Sequence, residues 1–349
     1  CRTLYRPGWS WAQWPRTIVR SRSWATGKAF GIYGTVMGSS SGFGVMLGGV
    51  LTEYLDWRWC MFVNLPIAAA AGAGVLYAVR PAPRAPGVRV DVIGALLATA
   101  GMAALVFGFS RAEVDGWGAA VTISSLMAGV VLLAVFLVTQ SRIAVPLLPL
   151  RVLRNRRRAA SYLAVLSLAI GMFATLFFLT FYLQDVLRYS PVKAGLAFLP
   201  LTAGLMAGVR VVSRLLARSP VRALLGPGLL TLAAGVGLLG TLRTDSGYWL
   251  HVFPVFLLVG LGTGWVLVTA DSTATLDAGP DTATAGALVM TSQQIGASLG
   301  TALLSTIAGT VAATYRHAHP VATAAAATVH GLNVASVGAA AALAVAAVG

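Results

Sequence analysis

Ten stretches of this 349-residue chain are apolar enough and long enough to cross a lipid bilayer, which constrains the fold before any motif is read. A helix of ~20 mostly apolar residues spans ~30 Å of hydrocarbon. Within lipid every backbone N–H and C=O must be satisfied inside the segment, so helices are the natural spans. The stretches are Ala29–Thr52, Trp59–Val79, Val90–Ser110, Trp117–Thr139, Ala159–Gln184, Ala194–Ser213, Ala223–Leu242, Trp249–Ala270, Thr284–Ala313 and His330–Gly349. The first and last owe their apolarity to Gly, Ser and Ala rather than to Leu and Ile. No run of alternating apolar residues points to a membrane barrel. The fold class expected is an all-α polytopic membrane helix bundle, with the lipid bilayer as its solvent.

Charge fixes the orientation. The chain carries 25 Lys and Arg against 10 Asp and Glu, a net +15 that in a soluble protein would point to nucleic acid. Here the basic residues cluster in alternate gaps. Arg80, Arg84 and Arg89 fill one; Arg142, Arg151, Arg154, Arg156, Arg157 and Arg158 another; Arg210, Arg214, Arg218 and Arg222 a third. Lys and Arg concentrate in cytoplasmic loops, so the chain enters its first span from the cytoplasm. No basic patch interleaved with aromatics argues for nucleic acid as a partner. The only cysteines, Cys1 and Cys60, give neither a disulfide framework nor a metal spacing. His317 and His319 are read as loop residues rather than metal ligands. No phosphate-binding loop, nucleophile elbow or zinc-protease helix is present, so neither an enzyme nor a cofactor is expected.

Residues 1–27 differ from the rest, mixing Trp9, Trp11, Trp14 and Trp24 with arginines and prolines. They read as an atypical N-terminal segment, and the absence of an initiating Met leads us to expect a truncated or frame-shifted start. From Lys28 onward three phrases stand out: GKAFGIYGTVMGSSSGFGVMLGGVLTEYLDWRWCMFVNLPIA (Gly27–Ala68), FYLQDVLRYSPVKAGLAFLP (Phe181–Pro200) and AGALVMTSQQIGASLGTALL (Ala285–Leu304). They resemble the fifth and sixth helices, the ninth-to-tenth junction and the thirteenth helix of the 14-span drug/proton antiporters (EmrB/QacA type) of the major facilitator superfamily. That resemblance implies helices five to fourteen, with one to four absent. Residues 28–80 would be the last two helices of an N-terminal half. Residues 81–158 would hold two linking helices and basic cytoplasmic loops, and 159–349 a complete C-terminal six-helix half. Transporters built from repeated halves place the substrate between them.

The family's antiporter motif, Gly-x-x-x-Gly-Pro-x-x-Gly-Gly, aligns with Ser40, Gly44, Val45, Gly48 and Gly49. Small residues let helices approach closely in lipid. Two readings stand side by side, a gating hinge against the opposite half and plain helix packing. Val45 in place of proline removes the family's local bend. Asn64, beside Pro66, either braces a break in the second span or lines the cavity. Gln293 and Gln294, mid-span, either line the cavity or bond across helices. Tyr182 joins Phe173, Phe177, Phe178 and Phe181 as expected cavity lining.

Acids deep in a span are the usual proton carriers, because they are costly there. All ten acids lie at or beyond span ends, and Asp271, closing a long apolar run, is the best candidate for a proton-linked group. The function implied by the resemblance is secondary efflux of drugs, antibiotics or other amphipathic small molecules, coupled to proton antiport across a bacterial cell membrane. The alternative is a non-transporting membrane fragment, or a helper that packs against other membrane proteins. The chain alone is expected to insert in the membrane without driving proton-coupled export.

Overall fold

The computed structural model describes residues 43–78, 91–143, 146–148, 155–216, 222–275, 282–321 and 323–348. Ser40, the 1–27 segment, most of the first span and the Arg80–Arg89 loop lie outside the described residues. The described residues are helical with short connections and no strand. In chain order they are α1 (residues 43–54), α2 (Trp59–Phe62), α3 (Asn64–Ala78), α4 (Val92–Asp115), α5 (Ala120–Arg142), α6 (Arg156–Phe181), α7 (Pro191–Ala197), α8 (Leu199–Leu215), α9 (Arg222–Leu239), α10 (Phe253–Thr275), α11 (Thr282–Ala318) and α12 (Ala324–Val348). Among the described residues, eight helical segments are long and apolar enough to cross a membrane, and α9 is a shorter apolar helix. The protein is therefore an all-α integral membrane bundle.

Local chemistry sets the helix ends. Asp91 caps α4 by accepting from the Gly94 N–H at 2.8 Å, and Asn155 caps α6 by accepting from Arg157 at 3.0 Å. Gly116, at φ 86°, ends α4 in a conformation that costs other residues. The return helix α5 then packs along α4, with Gly101, Gly108 and Gly129 each receiving a leucine of the opposite helix. Two segments depart from α geometry, and both lie at the end of the bundle that the charge pattern places outside. Tyr182–Val186 extends α6 and Tyr248–Val252 precedes α10, each as a single π turn. The sequence reading gave no sign of either.

The core lies between α6 and α12. Leu168, Leu179, Leu183, Leu232, Val252, Val255, Phe256 and Val259 are fully or almost fully buried there. Glycines make its tightest crossings. On α8 and α10, a Cβ added to Gly204, Gly208, Gly260 or Gly264 would run into a backbone carbonyl of the facing helix: Leu257, Leu261, Leu201 and Leu205 respectively. The contacts advance in step along both helices, so α8 and α10 run parallel. The same holds for α6 and α11, where Gly296 meets Leu166 and Gly300 meets Ile170. Gly296 and Gly300 thus act as the packing residues their spacing predicts. At 37 residues α11 is about 55 Å long, well beyond the thickness of hydrocarbon.

Candidate functional site: a cleft between two parallel helices

The α6–α11 crossing leaves an open cleft of about 490 Å³, lined by Phe173, Leu176, Phe177, Thr180, Phe181, Gln184, Asp185 and Thr301. Its two walls differ. Phe173, Phe177, Phe181 and Gln184 recur at helical spacing on one face of α6, an aromatic wall that ends in an amide and a carboxylate. On α11, Thr291, Gln294, Ser298, Thr301 and Ser305 recur every three or four residues and are exposed or half-buried. The hydroxyls of Thr291, Ser298 and Thr301 donate to carbonyls one turn back, at 2.9, 3.0 and 2.9 Å. Their protons are therefore committed to the helix, while their oxygen lone pairs face outward as acceptors. Thr301 belongs to both the stripe and the cleft.

Neighbouring phenylalanines on α6 have opposite fates. Phe177 is 49% exposed on the cleft side, whereas Phe178 is 3% exposed in the core. Tyr182 follows Phe178 inward. It is fully buried, and its hydroxyl lies 2.6 Å from the Arg243 carbonyl and 3.0 Å from that of Ser246, where it donates. The aromatic set expected to line one cavity is thus split. Phe173, Phe177 and Phe181 face the cleft; Phe178 points into the core beside α9 and α12, and Tyr182 holds the end of α6 to the connection before α10. Those two border only a gap of about 10 Å³, room for a single water.

Residues 20–301 match the Major Facilitator Superfamily. The chain belongs to that superfamily. Among curated members it is 43% identical over 315 residues to a puromycin resistance protein of Streptomyces alboniger, covering 88% of this chain and 62% of that protein. It is 35% identical over 283 residues to a tetracenomycin C resistance and export protein of Streptomyces glaucescens (80% and 52%). It is also 35% identical over 306 residues to a cephamycin export protein of Amycolatopsis lactamdurans (86% and 61%). The chain spans between half and two thirds of the length of these major facilitator relatives.

Within this major facilitator chain the other expected site residues fall at several places. Of the glycine motif, Gly49 makes the close approach: a Cβ there would lie 2.7 Å from the Pro191 carbonyl oxygen. From the opposite side, a Cβ on Gly195 would lie 3.2 Å from the Val45 carbonyl. Gly44 and Gly48 have nothing within 4 Å of a Cβ among the described residues. Val45 contributes its carbonyl while its side chain stays exposed. Asn64 is exposed and donates to the Cys60 carbonyl at 2.9 Å. It spans the break between α2 and α3 that Pro66, lacking an N–H, helps to keep open. Gln294 is exposed and Gln293 half-buried, and neither amide has a hydrogen-bond partner among the described residues. Asp271 is exposed near the end of α10; its backbone carbonyl accepts from the Thr275 hydroxyl at 2.7 Å, and its carboxylate has no side-chain partner among the described residues.

Sequence reasoning missed three things. Asp185 was placed at or beyond a span end and ranked below Asp271, yet it lines the cleft, with no ion-pair partner among the described residues. Gln140, 2% exposed, donates to Asp91 at 2.5 Å and accepts from the Leu148 N–H at 3.0 Å, clamping the α4–α5 hairpin. Asn333 donates to the Leu242 carbonyl at 2.8 Å and ties α12 to the end of α9. Only the polarity of Gln140 and Asn333 within apolar runs could have signalled them. His317 and His319, with Arg316, line a separate cleft, and no group of three or more metal-ligating residues forms among the described residues.

Proposed function

We propose that this chain serves secondary export of amphipathic small molecules, antibiotics among them, in the manner of the 14-span drug/proton antiporters. The observation that carries the reading is the two-sided cleft. One wall offers three phenylalanine rings to an apolar body, and Thr301, Gln184 and Asp185 offer polar atoms to the rest of it. A volume of about 490 Å³ suits a drug-sized ligand, since such sites commonly measure about 300–1,000 Å³. The names of the relatives support it, because they refer to puromycin, tetracenomycin C and cephamycin. In this reading residues 159–349 form one six-helix half, α4 and α5 are the linking helices, and 28–80 belong to the other half. Gln293, Gln294 and the aromatic wall meet the substrate. Asp271, free of side-chain bonds among the described residues, takes up the exchanged proton.

Thr301→Cys, in a Cys1→Ser, Cys60→Ser background, reports on occupancy of the cleft. Puromycin should slow its reaction with a maleimide, and Phe173→Ala combined with Phe177→Ala should weaken that protection about tenfold. No protection at saturating drug would remove the cleft as the substrate surface. Proton coupling is tested separately. Against the sequence expectation that the chain alone is inactive, this reading gives drug movement in vesicles driven by an imposed pH gradient. That movement should disappear with a protonophore and with Asp271→Asn. No gradient-driven movement at all would favour the non-transporting fragment. Persistence in Asp271→Asn would take the proton role away from that residue.

A further inference from the structure

Where α11 turns into α12, at the end that the charge pattern places outside, positive charge collects with no acid beside it. Arg316, His317 and His319 line a cleft of about 390 Å³ with Ala313, Pro320 and Ala324. Residues 282–349, which supply both helices and the turn between them, contain no Asp or Glu. Arg316 makes no ion pair among the described residues, and an arginine stays protonated at any physiological pH. The lining comes from this one hairpin, so these three side chains set the charge that the cleft presents.

His319 is fixed in place. Its ring stacks on Tyr315 with centroids 4.4 Å apart, and the His330 ring of α12 meets the same phenol at 4.5 Å. His319 Nδ1 lies 3.2 Å from the Tyr315 carbonyl oxygen, which can only accept, so Nδ1 carries a proton and donates. Nε2 is then the nitrogen left for a ligand, a lone pair in the neutral ring and an N–H donor in the imidazolium. Thr323 caps α12 by accepting the Ala326 N–H at 3.2 Å, which leaves the N–H groups of Ala324 and Ala325 without a helical partner. That helix end adds to the positive field beside Ala324. Depth bears on the ligand as well. Gly300 of α11 lies against Ile170 of α6, and from that level α11 runs about 10 Å further than α6 does. The cleft therefore begins where the apolar run Thr284–Ala313 ends, at the level of lipid headgroups.

We propose that this cleft binds an oxyanion of the phosphate type, presented by a lipid headgroup or free in solution. Arg316 supplies the permanent charge and a planar fork of donors that matches two oxygens of such a group. His317 and His319 add N–H donors in their imidazolium forms, so the bound anion draws protons onto the rings it contacts. The titratable groups around His319 are Arg316 and His317 along its own helix, Tyr315 beneath its ring, and His330 of α12 against that same phenol. None is an acid, so a cationic His319 is disfavoured until an anion arrives, and affinity falls as pH rises through the histidine range. The site is separate from the α6–α11 cleft and does not depend on the transport reading.

Ala313→Cys, in the Cys1→Ser, Cys60→Ser background, places a thiol in the lining and reports occupancy. Maleimide labelling of the chain in detergent is followed as sulfate replaces chloride at constant ionic strength. Sulfate carries the required oxygens and keeps its charge across the histidine range. It should slow labelling, with half-protection at a several-fold lower concentration at about pH 6 than at about pH 8. Arg316→Gln should raise that concentration about tenfold, the scale of one lost charge-assisted hydrogen bond, and Arg316→Lys should raise it less. His317→Gln combined with His319→Gln should remove the pH dependence. Labelling of Thr301→Cys should be the same in every variant and unaffected by sulfate, showing that the bundle remains folded and that the anion acts locally. Nanodiscs separate the two sources. Protection by phosphatidylglycerol over phosphatidylcholine, without sulfate, assigns the cleft to a headgroup; equal labelling in both lipids with sulfate protection retained assigns it to a soluble anion. No protection from sulfate or from phosphatidylglycerol would overturn the site, and so would protection that survives Arg316→Gln in full.

Discussion

Helices α3 and α10 look alike as sequence and behave as opposites in the structure. Both belong to segments apolar enough to cross a membrane, yet 56% of the most apolar stretch around α10 is buried in protein and none of the stretch around α3 is. Both carry closely spaced glycines. Gly260, Gly262 and Gly264 of α10 each face the backbone of a neighbouring helix, while Gly72 and Gly74 of α3 face nothing within 4 Å among the described residues. In a bilayer, apolarity answers to lipid and does not by itself draw helices together. What separates the two is whether a neighbour supplies backbone at the distance that a missing Cβ allows.

The largest test of that contrast is a leucine in each glycine surface. Gly208→Leu and Gly260→Leu should abolish the folded bundle, because the obstacle is a carbonyl fixed in its own helix. Gly72→Leu should change stability by no more than ~0.5 kcal/mol, as for a surface site. Thermal unfolding in detergent, followed by size-exclusion chromatography, reads all three. Damage from Gly72→Leu equal to the others would mean that α3 is packed against something.

Next in size comes the split between adjacent phenylalanines. Phe178→Ala should cost roughly 3 kcal/mol through the cavity it leaves in the core. Phe177→Ala should leave the unfolding temperature almost unmoved and lower drug protection of Thr301→Cys instead. Matching stability losses for the two would erase the distinction between wall and core.

A smaller effect is expected where α4 and α5 are joined. Gln140→Leu leaves Asp91 and the Leu148 N–H without their buried partner, at a cost of roughly 1–3 kcal/mol. Hydrogen exchange at residues 146–148 should speed up while the α8–α10 crossing stays protected. Loss of protection in both places would show that the hairpin and the bundle unfold as one unit.

The smallest change is Tyr182→Phe, which removes one hydroxyl from the Arg243 and Ser246 carbonyls and should cost about 1 kcal/mol. The shift should be confined to the 182–187 and 243–248 segments. An effect spread over α1 would carry the tie beyond the two segments it joins.

The helices themselves were legible because their determinants are local. Length and apolarity marked the eight spanning segments, and spacing marked Gly296 and Gly300 as a packing pair. The cleft was legible only in part. The five aromatics of Phe173–Tyr182 form two stripes on one helix, and nothing in their order says which stripe faces open space. Asp185 was placed beyond its helix because the π turn that carries it leaves no mark in an apolar pattern. The motif glycines were read as either a gating hinge or plain packing; α7 approaches them at Gly49 and at the Val45 carbonyl, through backbone atoms that have no sequence signature.

By itself, then, the sequence determined that this chain is a helical membrane protein. It also determined that arginines cluster in alternate connections and which family phrases it carries, since each depends on residue type within a short window. Tertiary structure decided which of two similar glycine surfaces is filled, which phenylalanines remain free for a ligand, and that the Glu53 carboxylate reaches the Val192 N–H. Those outcomes depend on distances between segments far apart in the chain, set by how closely two backbones pass, and no local pattern encodes such a distance.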